Sequence, residues 1–206
     1  MIDTHAHIYT EEFDADRDEV VRRAREAGID RLLLPAIDSE SPERLFETCR
    51  TYSDCCTPMM GLHPTSVNDN PRWREELRAV ERFLVSPPAG LRFCAVGEIG
   101  LDFYWSADFR AEQTEEYAGR GLRGVFHAFS DTLETYRTLR ECGDFVFGIG
   151  GVVTFRKSAL AEVVRGMELC DMVLETDCPY LTPVPYRGRR NEPAYVRFVC
   201  EKVAEL

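Results

Sequence analysis

At 206 residues the chain is long enough to bury a core without disulfides or metal. Its 44% apolar and 30% charged residues give an ordinary globular balance. A net charge of −11, from 36 acidic and 25 basic residues, argues against a protein that coats nucleic acid through a broad basic face. It leaves room for an enzyme that draws in one phosphate through a local cluster and a metal.

Short apolar runs alternate with amphipathic stretches. In chain order the expected strands are Ile2–Thr4, Arg31–Ala36, Pro58–Leu62, Phe93–Ile99, Gly124–Ala128, Phe145–Ile149 and Met172–Glu175. They are continuous and rich in Val, Ile, Leu and Phe, as strands of a buried parallel sheet are. Between them, apolar spacing predicts helices. The first runs from Phe13 to a stop at Gly28, and others lie near Pro42–Tyr52, Pro71–Leu84, Ala107–Ala118, Leu133–Cys142, Ser158–Met167 and from Pro193 onward. This rhythm predicts an α/β fold. Thr182–Arg190 is the most conspicuous loop.

A doubly wound sheet should carry a glycine-rich turn after its first strand. Here His5-Ala6-His7 follows instead, and Gly148, Gly150 and Gly151 do not fit that fingerprint. The polar residues favour a (β/α) barrel. His5, His7, His63, Glu98, His127 and Asp177 all fall at or just past strand ends, the face where barrel active sites gather.

All four histidines of the chain belong to that set. Residues spaced by two on a strand share a face, so His5 and His7 can hold one metal together. Imidazole with carboxylate suits Zn, Mn, Fe or Ni. Each residue also has a plainer reading. The His pair could be surface groups near a terminus, Glu98 a salt-bridged core carboxylate, His127 a satisfied core histidine and Asp177 a turn cap. Arg187, Arg189 and Arg190 form the one dense basic cluster, which could be a solvated loop. The eight cysteines include no C-x-x-C pair, and runs such as Phe93-Cys94-Ala95-Val96 suggest small core residues. Neither a basic leader nor an apolar membrane span is apparent, so the expected location is cytoplasmic, without membrane or obligate protein partner.

Six segments together resemble the TatD-related metal-dependent hydrolases. They are Ile2-Asp3-Thr4-His5-Ala6-His7, Gly61-Leu62-His63-Pro64, Val96-Gly97-Glu98-Ile99-Gly100-Leu101-Asp102, Gly124-Val125-Phe126-His127-Ala128-Phe129, Leu174-Glu175-Thr176-Asp177-Cys178-Pro179 and Arg190-Asn191-Glu192-Pro193. The resemblance implies a TIM-type barrel spanning 1–206 as one domain, a centre of one or two divalent ions (Zn, Mn, Mg, Ni or Fe), and phosphodiester hydrolysis in nucleic acid. By it, His5, His7, Glu98 and Asp177 hold one ion. Glu98 bridges to a second, which His127 shares with one further His. On this reading of the residues, Asp177 is expected to take the water's proton and Glu98 to hold the ions. His63 and Arg187 are expected to stabilise the charge that develops on the phosphate, with His63, Asp102 and Arg187 contacting the substrate.

The chain departs from this pattern in one region. The family's Pro-Val-x-x-His-x-Arg strand, which supplies the further His, is absent between about 113 and 123, and the seven expected strands fall one short of eight. The usual last helix is also expected to be lacking. Residues omitted from the sequence, a natural deletion with a mononuclear site, or an inactive metal-binding remnant would each account for this. Within enzymes, an amidohydrolase attacking a C–N bond is the alternative reading.

Overall fold

The structure is a computed structural model that describes residues 1–38, 41–68, 70–99, 108, 123–141 and 143–206. The chain divides into two compact units, Met1–Leu32 with Gly121–Leu206, and Leu33–Arg120.

In the first unit, β1 (Ile2–Asp3) pairs in parallel with the start of β2 (Arg31–Pro35), Ile2 opposite Arg31 and Asp3 opposite Leu32. Parallel neighbours need a crossover, and α1 (Arg17–Glu26) supplies it. Val20, Val21 and Ala24, spaced by one and three residues, form its buried face. It stops where the sequence predicts. Gly28 adopts φ +80, which a side chain would resist, and its N–H donates to the Arg25 carbonyl.

The rest of this unit is built on β4 (Gly124–Phe126), β5 (Phe145–Ile149) and β6 (Met172–Leu174), parallel and in that order. Phe147 and Ile149 on β5 are fully buried. They pack with Phe129, with Tyr136 of α4 (Leu133–Arg140), with Leu160, Val163 and Val164 of α5 (Leu160–Arg165), and with Val199 of α6 (Val196–Ala204). The Thr132 hydroxyl caps α4 by accepting from the Thr135 N–H.

Past β6 the chain runs beside the segment that follows β1. Thr4 N–H donates to the Leu174 carbonyl at 3.1 Å, Asp177 N–H to His5 at 2.9 Å and His7 N–H to Cys178 at 2.9 Å. Ala6 and Cys178 form a parallel bridge. These bonds set the His5–His7 segment against the Asp177 segment.

In the second unit β2 continues, followed by α2 (Pro42–Thr51), β3 (Cys56–Met59) and α3 (Trp73–Val85). Ala36 N–H donates to the Met59 carbonyl at 2.9 Å, and Leu34, Leu45, Leu62 and Val80 are buried. β3 begins two residues before the expected Pro58 and ends three before Leu62.

The expected strand Phe93–Ile99 is corrected to a single parallel bridge, Met60 with Val96. The cause lies in two glycines. A Cβ on Gly61 would come within 2.7 Å of the Glu98 carbonyl, and one on Gly97 within 3.0 Å of the Met59 carbonyl. The backbones meet at a close crossing instead of an extended ladder. Cys94, read as a small core residue, is exposed, whereas Cys49, Cys55 and Cys56 are buried. The expected helix Ala107–Ala118 and most of the region between about 113 and 123 lie outside the described residues. Among the described residues, no helix is long and apolar enough to cross a membrane.

Candidate metal centre

Three strand ends of the first unit deliver four donors to one place. His5 and His7 follow β1, His127 follows β4 and Asp177 follows β6. Nε2 of His5 lies 3.1 Å from Nε2 of His7. Asp177 Oδ1 lies 3.5 Å from His7 Nε2, 3.7 Å from His127 Nε2 and 3.9 Å from His5 Nε2. The His5 and His127 rings stack at 3.5 Å and 14°. Donors bonded at ~2.1 Å in a tetrahedral set sit roughly 3.4 Å apart. The spacing of these imidazole nitrogens and the carboxylate oxygen therefore fits a divalent ion, and His5, His7 and Asp177 offer donor atoms all within 4.8 Å of one another.

Contacts behind the donors fix their orientation. His7 Nδ1 lies 3.1 Å from the Tyr9 hydroxyl, which turns Nε2 inward. Asp3 is fully buried. Its Oδ1 accepts from Thr176 N–H at 2.9 Å and His5 N–H at 3.3 Å, and its Oδ2 accepts from the Thr176 hydroxyl at 2.5 Å. One carboxyl thus ties the His5 and Asp177 segments together. Buried Asn191 donates from Nδ2 to the carbonyls of Thr176 and Tyr180, clamping the loop on either side of Asp177.

Asp177 has φ +55 and Ala128, next to His127, has φ +49. Non-glycine residues pay about 1 kcal/mol or more in this region, and such strain collects at functional sites.

Burial pushes the Asp177 carboxyl up. The His7 hydrogen bond and the charges of His127, His5 and His7 outweigh it, and the net result lies below the usual carboxylate range. The ligand-ready anion is the favoured form. Burial instead carries Asp3 to about 7, against the hydrogen bonds from Thr176 and His5, with the Glu175 charge adding to the rise. A carboxyl that holds its proton more tightly folded than unfolded withdraws stability as pH climbs from about 4 to about 7. Asp3→Asn keeps the shape without that titration. The melting temperature of the metal-free variant, relative to the parent, is expected to rise over this interval. Parallel pH profiles would contradict the assignment.

In the second unit, His63 Nδ1 is held by Thr65, 2.6 Å from its hydroxyl and 3.1 Å from its N–H. That leaves Nε2 facing Glu98 Oε1 at 3.8 Å. The structure brings His63 and Glu98 together, and Asp102 lies outside the described residues.

The basic cluster splits by role. Arg190 pairs with both Asp16 oxygens, at 2.8 and 2.7 Å, and is structural. Arg187 stacks over the Phe155 ring at 3.7 Å, beside a groove also lined by Pro179, Leu181, Thr182 and Arg189. Neither Arg187 nor Arg189 has a carboxylate partner among the described residues.

Sequence reasoning missed the roles of Glu175, Thr176 and Asn191. The compact Glu-Thr-Asp run was the available signal for the first two. A partly buried, strained cluster of three imidazoles and a carboxylate at parallel strand ends makes this an α/β protein with a candidate metal-binding site.

Comparisons with known proteins place it more closely. A family profile described as TatD related DNase matches residues 2–117 and 110–206, and the chain belongs to that family of metal-dependent hydrolases. It is 30% identical to the uncharacterized metal-dependent hydrolase YabD of Bacillus subtilis. That alignment runs over 243 positions and covers 100% of this chain and 91% of the relative. It is 29% identical to the 3'-5' ssDNA/RNA exonuclease TatD of Cronobacter turicensis, covering 100% of this chain and 89% of that protein. Among solved structures it resembles YjjV, a TatD homologue from Escherichia coli, with TM-score 0.81 and 25% identity over 100% of this chain and 89% of that one. An uncharacterized amidohydrolase from Saccharomyces cerevisiae shares the fold, with TM-score 0.84 at 15% identity, covering 99% of this chain and 93% of that one.

Proposed function

We propose that this protein hydrolyses phosphodiester bonds in nucleic acid, acting on single strands or strand ends. The observation that carries the reading is the convergence of His5, His7 and His127 on Asp177 Oδ1 within 3.9 Å. His5, His7 and Asp177 would hold the first divalent ion, with His127 and Glu98 as further ligands. The ion supplies Lewis acidity and neutralises phosphate charge when bound. Asp177, favoured as the anion, accepts a proton from the attacking water. His63, Asp102 and Arg187 contact the substrate, with Arg187 held at a groove that begins two residues past Asp177. Support for a nucleic-acid substrate comes from relatives named as exonucleases. The acidic net charge favours a short strand or an end over a long duplex.

The same reading covers the architecture. We take residues 1–206 as one TIM-type barrel domain, short by one strand-helix unit between about 113 and 123. The hydrogen bonds between the segments past β1 and β6 are in keeping with a barrel seam. The family match in two segments that meet at 110–117, and the 243-position alignment of a 206-residue chain, support the missing unit.

The deciding experiment incubates purified protein with Mn2+ or Mg2+ and end-labelled single-stranded DNA, duplex DNA and C–N bond substrates. Nucleotide release from single strands is expected. Hydrolysis of only C–N substrates, or no turnover by protein shown to carry metal, would overturn the reading. Arg187→Ala is expected to raise KM about ten- to a hundred-fold, the worth of one charge-assisted phosphate contact, with kcat little changed. It should also flatten the salt dependence of binding. An unchanged KM would remove Arg187 from the substrate site.

A further inference from the structure

Among the buried carboxylates of the first unit that are not metal ligands in this reading, Glu175 lies against a proposed ligand. Glu175 follows β6 directly and is 1% exposed. Its Oε1 accepts from the Ala128 N–H at 2.6 Å and lies 3.0 Å from His127 Nδ1. His127 is its only ion-pair partner among the described residues. A carboxylate out of water is costly unless it is paired, so a neutral residue would be favoured here if the place were merely core.

The place is also shaped for this side chain. A Cβ on Gly148, in β5, would sit 2.2 Å from Glu175 Oε2 and 2.5 Å from its carboxyl carbon. The carboxylate occupies the volume that any side chain at 148 would fill. Its hydrogen-bond donor, Ala128, holds the left-handed φ of +49 one residue past His127. The glycine and the strained turn both bear on the Glu175 carboxylate, whose Oε1 lies 3.0 Å from one imidazole nitrogen.

We propose that Glu175, seated by Gly148, is the positioning residue for His127. It keeps the proton on Nδ1, so that Nε2 presents its lone pair toward Asp177 Oδ1, 3.7 Å away. A ring that donates to a carboxylate is also a stronger base at its other nitrogen and a better ligand for a divalent ion. The inference rests on His127 as a ligand of the proposed centre, yet its first consequence concerns the metal-free protein.

With four histidines in the chain, the imidazole nitrogens can be assigned one by one in an 15N–1H correlation spectrum of the metal-free protein. The His127 ring is expected as the Nδ1–H tautomer. At a pH where the ring is neutral, finding Nε2–H in the unsubstituted protein would overturn the proposal without any variant. Zn2+ affinity, measured by competition with a chromophoric chelator, should fall about ten- to a hundred-fold in Glu175→Ala. Glu175→Gln, which retains an acceptor, should lie between. Gly148→Ala should displace the carboxylate and move affinity in the same direction while Glu175 remains. In a His127→Ala background, Glu175→Ala should change Zn2+ affinity little further, which a general structural defect would not reproduce. A folded Glu175→Ala with unchanged tautomer and affinity would overturn the positioning role alone. Unsubstituted protein that binds no divalent ion would overturn the metal centre together with it.

Discussion

Asp177→Asn is expected to lower kcat for single-strand hydrolysis by about a thousand-fold, within the range for losing a proton-transfer group. Three imidazole nitrogens converge on Asp177 Oδ1. The amide keeps the shape of the side chain, and Asn tolerates positive φ well, so the φ +55 backbone survives the change. What is lost is the negative charge that helps hold the ion and accepts a proton, so bound metal is expected to fall as well. The carboxyl sits below its usual range because the surrounding imidazoles outweigh burial. A group depressed in this way stabilises the fold above the unfolded-state value and loses that contribution as pH falls through the folded-state value. The variant should therefore be somewhat less stable than the parent at neutral pH, with the difference closing in acid. Single-turnover rates, elemental analysis and thermal melts at several pH values measure the three consequences separately. Turnover within ten-fold of the parent would remove Asp177 from the proton-transfer role.

The clustering of the candidate donors was legible in the sequence because buried parallel strands tolerate few polar residues, and those at their ends stand out. β5 lies at Phe145–Ile149 as its apolar run requires, and His5, His7, His127 and Asp177 each follow a strand. The contacts that hold those donors were not legible. Asp3 acts through Thr176, 173 residues away, and Glu175 through Ala128, 47 residues away. Such roles exist only once the strands are placed side by side. The run Arg187–Arg190 illustrates the same limit. Adjacent arginines look equivalent in a sequence, yet Asp16 engages Arg190 while Arg187 lies against Phe155. At Phe93–Ile99, an apolar run predicted a strand that close glycine contacts reduce to one bridge.

Phe147→Ala separates the scaffold from the chemistry. The ring is fully buried in the middle strand of β4-β5-β6. Its centroid lies 4.9 Å from Phe129, 4.9 Å from Tyr136 and 5.4 Å from Phe126. Removing it deletes buried apolar surface and leaves a cavity that rigid aromatic neighbours on a strand, a loop and a helix fill poorly. The expected loss is about 3–5 kcal/mol, the usual cost of truncating a core Phe to Ala. A denaturant midpoint measured at constant m-value reports it. Gly148, the next residue, points to the opposite face of the strand, as the two-residue repeat requires, where it accommodates Glu175. At temperatures where the variant remains folded, Zn2+ affinity should therefore stay near that of the parent, whereas Asp177→Asn should lose activity with little loss of stability. A Phe147→Ala protein that kept its midpoint would show that the β5 core repacks freely. One that lost metal in proportion to stability would show that the donor cluster depends on this core for its geometry.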